Sequence, residues 1–198
     1  FFGKQDNIFD SYGIETAIEN ALKKKVWMDS GSYLIIEETE ALTVVDVNTG
    51  KFIGEDNLQD TILQANIEAA GEIAKQLRLR DVGGIVVIDF VDMEVMGNEQ
   101  RVLDALEEAL KKDRTKTNVV GFTGLSLVEL TRKKTRRKIS ALLQASCPEC
   151  SGRGRIYNLP SMAMKVRREV NRYVQSHNSE KYLVEVAPEV ADYIEDYN

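Results

Sequence analysis

Cysteine is scarce in this chain: there are two among 198 residues, which excludes a disulfide scaffold. Histidine occurs once, at His177. No apolar run approaches the roughly 18 residues that a membrane-crossing helix needs. No signal peptide opens the sequence, and it begins at Phe1 rather than Met, which suggests part of a longer polypeptide. The net charge of -6 counts against nucleic acid as a partner on the total alone, but the distribution of charge decides that better.

What is present has the periodicity of a globular α/β chain. Residues 11–26, with apolar side chains at 14, 17, 18, 21 and 22, predict a helix with Asp10 or Ser11 as N-cap and lysines in its last turn. YLIIEE and LTVVDV, joined by Thr39-Glu40, predict a hairpin. Leu58, Ile62, Ala65, Ala69, Ile73 and Leu77 form one stripe of a long helix over 57–80, and Asp81-Val82-Gly83-Gly84 stops it. GIVVIDFV, 84–91, reads as a central strand buried on both faces. A helix over 98–112 and a strand over 118–124 complete a strand-helix alternation, for which parallel, right-handed crossovers are expected. LSLVELT then predicts a short helix. A helix over 160–174, a strand at YLVEVA and a final short helix predict a small α-β-α module, too small for assured independent stability.

Two acids stand out. Asp46 ends one apolar strand, and Asp89 lies within another, because Phe90 and Val91 prolong its apolar run. Acids that only form turns at strand ends are common; an acid buried inside a strand needs a partner. In open α/β sheets, ligands gather beyond the carboxyl ends of the strands. If these strands are neighbours, their carboxylates converge and repel unless a cation intervenes. Mg²⁺ suits such a pair of hard oxygen ligands, and no His or Cys lies near to suggest a softer metal. Asn48, two residues after Asp46, shares its face and is placed to orient it or to touch substrate. Asp92 is a further candidate ligand.

Cys147-Pro-Glu-Cys150 in a glycine-rich knuckle is half of a structural zinc site. With no third cysteine and His177 far along the chain, two readings stay open: a redox pair, or a zinc shared between two chains, each giving two thiolates. A redox CxxC should open a helix after a strand; this turn-rich setting favours shared zinc, which would make metal binding and dimerisation one event. RKKTRRK, residues 132–138, carries six basic residues in seven. A charge run is by default a solvated face, but few acids interleave here, so a polyanion site is expected. Beside a two-carboxylate metal site, it points to phosphodiester chemistry.

EALTVVDVNTGKFIG, NIEAAGEIAKQLRLRDVGGIVVIDFVDM, LVELTRKK and CPECSGRG, in that order, resemble the ribonuclease E/G family along essentially the whole chain. The resemblance implies a single-strand-specific endoribonuclease of bacterial RNA processing and decay, acting in the cytoplasm. It implies part of an RNase H-like subdomain over 1–55 and a DNase I-like catalytic subdomain over 56–146. A zinc-link over 147–154 and a small domain over 155–198 would follow. The family's magnesium aspartates fall on Asp46 and Asp89, its supporting asparagine on Asn48, and its zinc-link thiolates on Cys147 and Cys150. These thiolates join a homodimer that pairs into a tetramer. RNA contacts are expected at Arg132, Lys133, Lys134, Arg136 and Arg137, and at Lys116, where the family usually has Arg; lysine keeps the charge and loses the bidentate fork. An S1 RNA-binding domain and a 5′-monophosphate pocket are missing from the sequence, so weak substrate clamping is expected. The rival reading is a non-catalytic RNA-binding and oligomerisation module.

Overall fold

In a computed structural model, residues 8–50, 58–177 and 181–196 are described. The chain divides into two units, Phe1–Gln144 and Ala145–Asn198.

In the first unit, helices α1 (Ile8–Ser11) and α2 (Ile14–Leu22) precede strands β1 (Lys25–Trp27), β2 (Tyr33–Glu38) and β3 (Leu42–Asn48). Then follow α3 (Leu58–Leu79), β4 (Gly84–Asp89), α4 (Asn98–Leu110), β5 (Thr117–Phe122), β6 (Leu127–Arg132) and α5 (Ile139–Leu143). The strands form one six-stranded sheet in the order β1-β2-β3-β4-β6-β5. It is the expected mixed sheet with helices, but only β3 and β4 pair parallel; the other neighbours are antiparallel. The expectation of parallel crossovers therefore holds for one connection, the one carried by α3.

Strand alternation sorts the side chains. Leu34 and Ile36 of β2, Val45 and Val47 of β3, Val86 and Ile88 of β4, and Val128 and Leu130 of β6 are buried. They pack against Leu63, Ala70, Ile73 and Leu77 of α3 and Val102 and Leu106 of α4 in a single core. Within this unit the helices that pack on the sheet, α3 and α4, lie on this face; on the opposite face Ile85 is 50% exposed. GIVVIDFV is thus buried on one face, not both, and its strand ends at Asp89, before Phe90.

Two further sequence expectations change. The helix expected over 11–26 stops at Leu22, because Lys25–Trp27 pairs with β2. LSLVELT is strand β6 rather than a helix: Val128, Leu130 and Arg132 alternate inward. Strands β3 and β4 pair across the position near residue 55 where a subdomain boundary is expected. The Lys51–Gly54 part of the first family-like motif lies outside the described residues.

The second unit holds α6 (Leu159–Ser176) and α7 (Pro188–Asp196). Asn158 caps α6 by accepting from the Ser161 amide, 3.0 Å. YLVEVA is not a strand; a lone extended segment has no ladder to join.

Candidate metal and nucleic-acid site

The β3–β4 pair decides the geometry. Their parallel register sets Asp46 directly beside Asp89, and register partners on neighbouring strands share a face. That face is the open one. Both acids are exposed, which corrects the expectation of a buried Asp89. The Asn48 amide donates to Asp46 Oδ2 at 2.9 Å, as a supporting group should. Asp92 lies in the following turn and is exposed. Desolvation first, and then the charges of Asp46 and Asp92, hold the Asp89 carboxyl above its ordinary range.

Glycine lets the chain leave this site tightly. Gly50, at φ +63°, packs so close to the preceding hairpin that a Cβ would stand 2.5 Å from the Gly31 carbonyl oxygen. Helix α3 holds the surrounding loops. Its fully buried Asn66 donates to the Val91 carbonyl at 2.8 Å and accepts from the Val91 amide at 3.1 Å. Glu68 accepts from the Ser30 amide at 3.2 Å, fixing the β1–β2 turn. Sequence reading missed Asn66, although the signal was present: it is a polar residue four positions after Ile62, on the inward stripe.

The donor set is suited to a hard divalent cation: two carboxylates in register, one oriented by an amide and the other destabilised by the first. Among the described residues no group of three or more His, Cys, Asp or Glu side chains is gathered to hold a metal. An ion on Asp46 and Asp89 would take its remaining ligands from water and substrate.

The basic segment lies elsewhere. β6 runs antiparallel to β4, pairing Leu127 with Asp89 and Arg132 with Gly84. Residues 133–138 therefore leave the sheet at the opposite end of β4, about 17 Å from the acids at 3.3 Å per residue. Lys133, Lys134, Arg136 and Arg137 are exposed, as is Lys116, whose carbonyl accepts from the Lys133 amide at 3.0 Å. The stem of Lys134 lies against Gly83 and Gly84, where any Cβ would approach it to 2.9 Å.

Arg132 does not belong with these residues. It is 4% exposed, and its guanidinium donates to Asp113 Oδ2 at 2.8 Å, Asp81 Oδ1 at 3.1 Å, the Val82 carbonyl at 2.7 Å and Thr115 Oγ1 at 3.3 Å. Its donors are already committed to stapling the β4 entry to the β5 and β6 ends, so the expectation of an RNA contact there is corrected. Lys138 is partly committed too, pairing with Glu38 at 3.2 Å.

In the second unit Cys147 is exposed, Cys150 is buried, and both are free thiols. Ser151, Gly152 and Gly154 adopt positive φ, which turns amides toward the sulfur; the Gly154 amide donates to Cys150 Sγ at 3.3 Å. That bond, more than the opposing effect of burial, lowers the Cys150 pKa, with help from Cys147 and the Gly152 and Arg153 amides. A knuckle that favours thiolate suits a metal ligand pair. The motif lies in a turn and opens no helix, unlike a redox CxxC.

A mixed sheet carrying paired acids, followed by a Cys-x-x-Cys knuckle, places the chain among α/β proteins with a candidate metal site. Residues 1–135 match the model of the ribonuclease E/G family, and residues 146–197 match that of the RNase E/G thioredoxin-like domain; the chain belongs to the ribonuclease E/G family. It is 49% identical to ribonuclease G of Haemophilus influenzae, over 94% of this chain and 38% of that protein. Against ribonuclease G of Escherichia coli K12 the identity is 48%, over 97% of this chain and 39% of the relative. Ribonuclease E of a Nostoc species is 45% identical over 77% of this chain and 22% of its own length. The chain thus spans less than two-fifths of the length of these relatives. Among the described residues, no helix is long and apolar enough to cross a membrane.

Proposed function

We propose that this chain is the catalytic core of a Mg²⁺-dependent endoribonuclease that hydrolyses single-stranded RNA in the cytoplasm, leaving 5′-phosphate and 3′-hydroxyl ends. The observation that carries the reading is the Asp46–Asp89 register on the open face. Those two carboxylates would hold the ion, and Asn48 would keep Asp46 turned toward it. When bound, Mg²⁺ neutralises charge on the scissile phosphate and acidifies a water. Lys133, Lys134, Arg136, Arg137 and Lys116 would bind backbone phosphates without reading sequence. Their distance from the acids means that they would grip RNA several nucleotides away from the cut. Cys147 and Cys150 would contribute half of a zinc site completed by a second copy, giving a homodimer that pairs again in the longer protein.

The test is cleavage of a 5′-monophosphorylated oligoribonucleotide with and without Mg²⁺, by the longer protein carrying Asp46→Asn or Asp89→Asn. Each variant should lose at least about a hundredfold in rate; near-parental cleavage sinks the assignment. A second reading, a non-catalytic RNA-binding and assembly module, is favoured by the exposed basic residues 133–137, which leave the sheet at the end of β4 away from the acids. It predicts no Mn²⁺ binding at the acid pair.

A further inference from the structure

The open face carries a second feature, one strand further out. Antiparallel register sets Trp27 beside Tyr33 and Tyr33 beside Asn48. The next row runs Lys25, Ile35, Asp46, Asp89. Partners in a pair share a face, so two aromatic rings and a lysine stand on the same surface as the acids, about 10 Å from Asp46 at two strand spacings and one strand further from Asp89.

Several observations separate this cluster from an ordinary edge-strand surface. Trp27 is 63% exposed, a large apolar group left open on an edge strand. Its ring centroid lies 5.0 Å from that of Tyr33. Lys25 Nζ sits 3.6 Å from the Tyr33 centroid and 3.9 Å from that of Trp27. Among the described residues Lys25 has no carboxylate partner, whereas its neighbour Lys24 pairs with Glu37. The platform is also held from beneath. The Met28 amide donates to the Ser32 carbonyl at 2.9 Å, and Ser32 is fully buried. Glu68 anchors the same turn.

We infer that Trp27, Tyr33 and Lys25 form a nucleobase-stacking subsite that holds an unpaired base of single-stranded RNA beside the acid pair. Lys25 can pass from the rings to that nucleotide's phosphate. Rings stack on any unpaired base and gain nothing from a base buried in a duplex, so such a platform selects single strands without reading sequence. A cation that is held by rings alone is available to a phosphate at little cost. The Trp27 site lies nearer Asp46 than the 133–137 segment does, about 12 Å away by strand spacing, so it would position RNA on the same face as the cut. This inference takes its ligand from the proposed ribonuclease reading.

Trp27 is the chain's single tryptophan, so its emission reports on this place alone. The chain is titrated with a short oligouridylate in EDTA, and binding is followed in parallel by anisotropy of a labelled oligomer. Saturable quenching is expected, with no change from an abasic oligomer of equal length and charge. Trp27→Leu should weaken binding about tenfold, and Trp27→Phe much less, with melting temperatures unchanged. The inference is overturned by unaltered emission, by equal quenching from the abasic oligomer, by parental affinity in the leucine variant or by failure of the oligomer to bind. An emission shift that follows protein concentration without RNA also overturns it, since a second copy would then cover the ring. Quenching together with full cleavage by Asp46→Asn would leave the stacking site standing and the metal reading fallen; the converse would leave only the metal reading.

Discussion

Asp46 and Asp89 face each other in register across the one parallel strand pair of the described sheet. Desolvation, then Asp46, then Asp92 raise the Asp89 pKa, so the folded chain holds this proton more tightly than the unfolded chain does. The stability contribution is therefore full below the unfolded value of about 4 and is lost as pH rises through the raised folded value. At neutral pH without divalent ions, Asp89→Asn should raise the melting temperature, by less than about 3 °C for so exposed a group. The gain should vanish in acid. Mn²⁺ should stabilise the parent and leave the variant unmoved. Equal Mn²⁺ stabilisation of both proteins would mean that the ion binds elsewhere.

Arg132 predicts the opposite pH behaviour. Burial alone would raise the pKa of Asp113, but hydrogen bonds from Arg132 and Thr115 more than compensate and pull it below its usual range. That stability is present above the unfolded carboxylate value and is lost as pH falls through the depressed one. Arg132→Ala would leave Asp113, whose side chain is 5% exposed, as a buried charge without its partner. The expected loss is about 3–5 kcal/mol by urea unfolding at pH 7. Arg132→Lys should recover only part, because an ammonium cannot reproduce four divergent bonds. Wild-type stability in Arg132→Ala, accompanied by weakened RNA binding, would return this residue to the phosphate contacts.

The misreading of Arg132 shows where the sequence stops being informative. In RKKTRRK the first residue is chemically like the rest, and only the end of β6 separates it, by turning residue 132 inward and releasing residue 133. β6 itself was hidden because its inward face ends in that arginine, while Leu127, Val128 and Leu130 also suit one side of a helix. The strands and helices with clean periods, β2, β3, α3 and α4, could be read directly, and so could Asp46; Asp89 reads as buried inside its strand because Phe90 and Val91 are apolar, although the strand ends at it. That the acids lie side by side, while the basic segment leaves the far end of the same strand, depends on pairing order. Pairing order is a long-range property that no local pattern encodes.

Asn66 gives a prediction about positioning. Its two hydrogen bonds to Val91 secure the segment that follows Asp89 and carries Asp92. Asn66→Leu has nearly the same volume but cannot pair with the Val91 amide and carbonyl. The expected cost is about 1–3 kcal/mol per stranded polar group. If the residue only stabilises the fold, Mn²⁺ affinity measured well below the melting temperature will match the parent. If it positions the acids, that affinity will fall several-fold, and Asn66→Asp will restore it only in part, because a carboxylate accepts from the amide but cannot donate to the carbonyl.

Zinc removal tests the knuckle. Two thiols from one chain fill half of a tetrahedral site, so metal analysis should give about one Zn²⁺ per two chains. A strong chelator should then convert dimers to monomers in sedimentation. Cys150→Ser should do the same without chelator, because it removes the buried thiol that the Gly154 amide supports. Cys147→Ser should behave alike if both sulfurs are ligands. A dimer that survives both substitutions must be held by other surfaces. A chain that carries no zinc but whose two thiols interconvert with a disulfide would instead support the redox alternative, and alkylation would then begin at the exposed Cys147 rather than at Cys150.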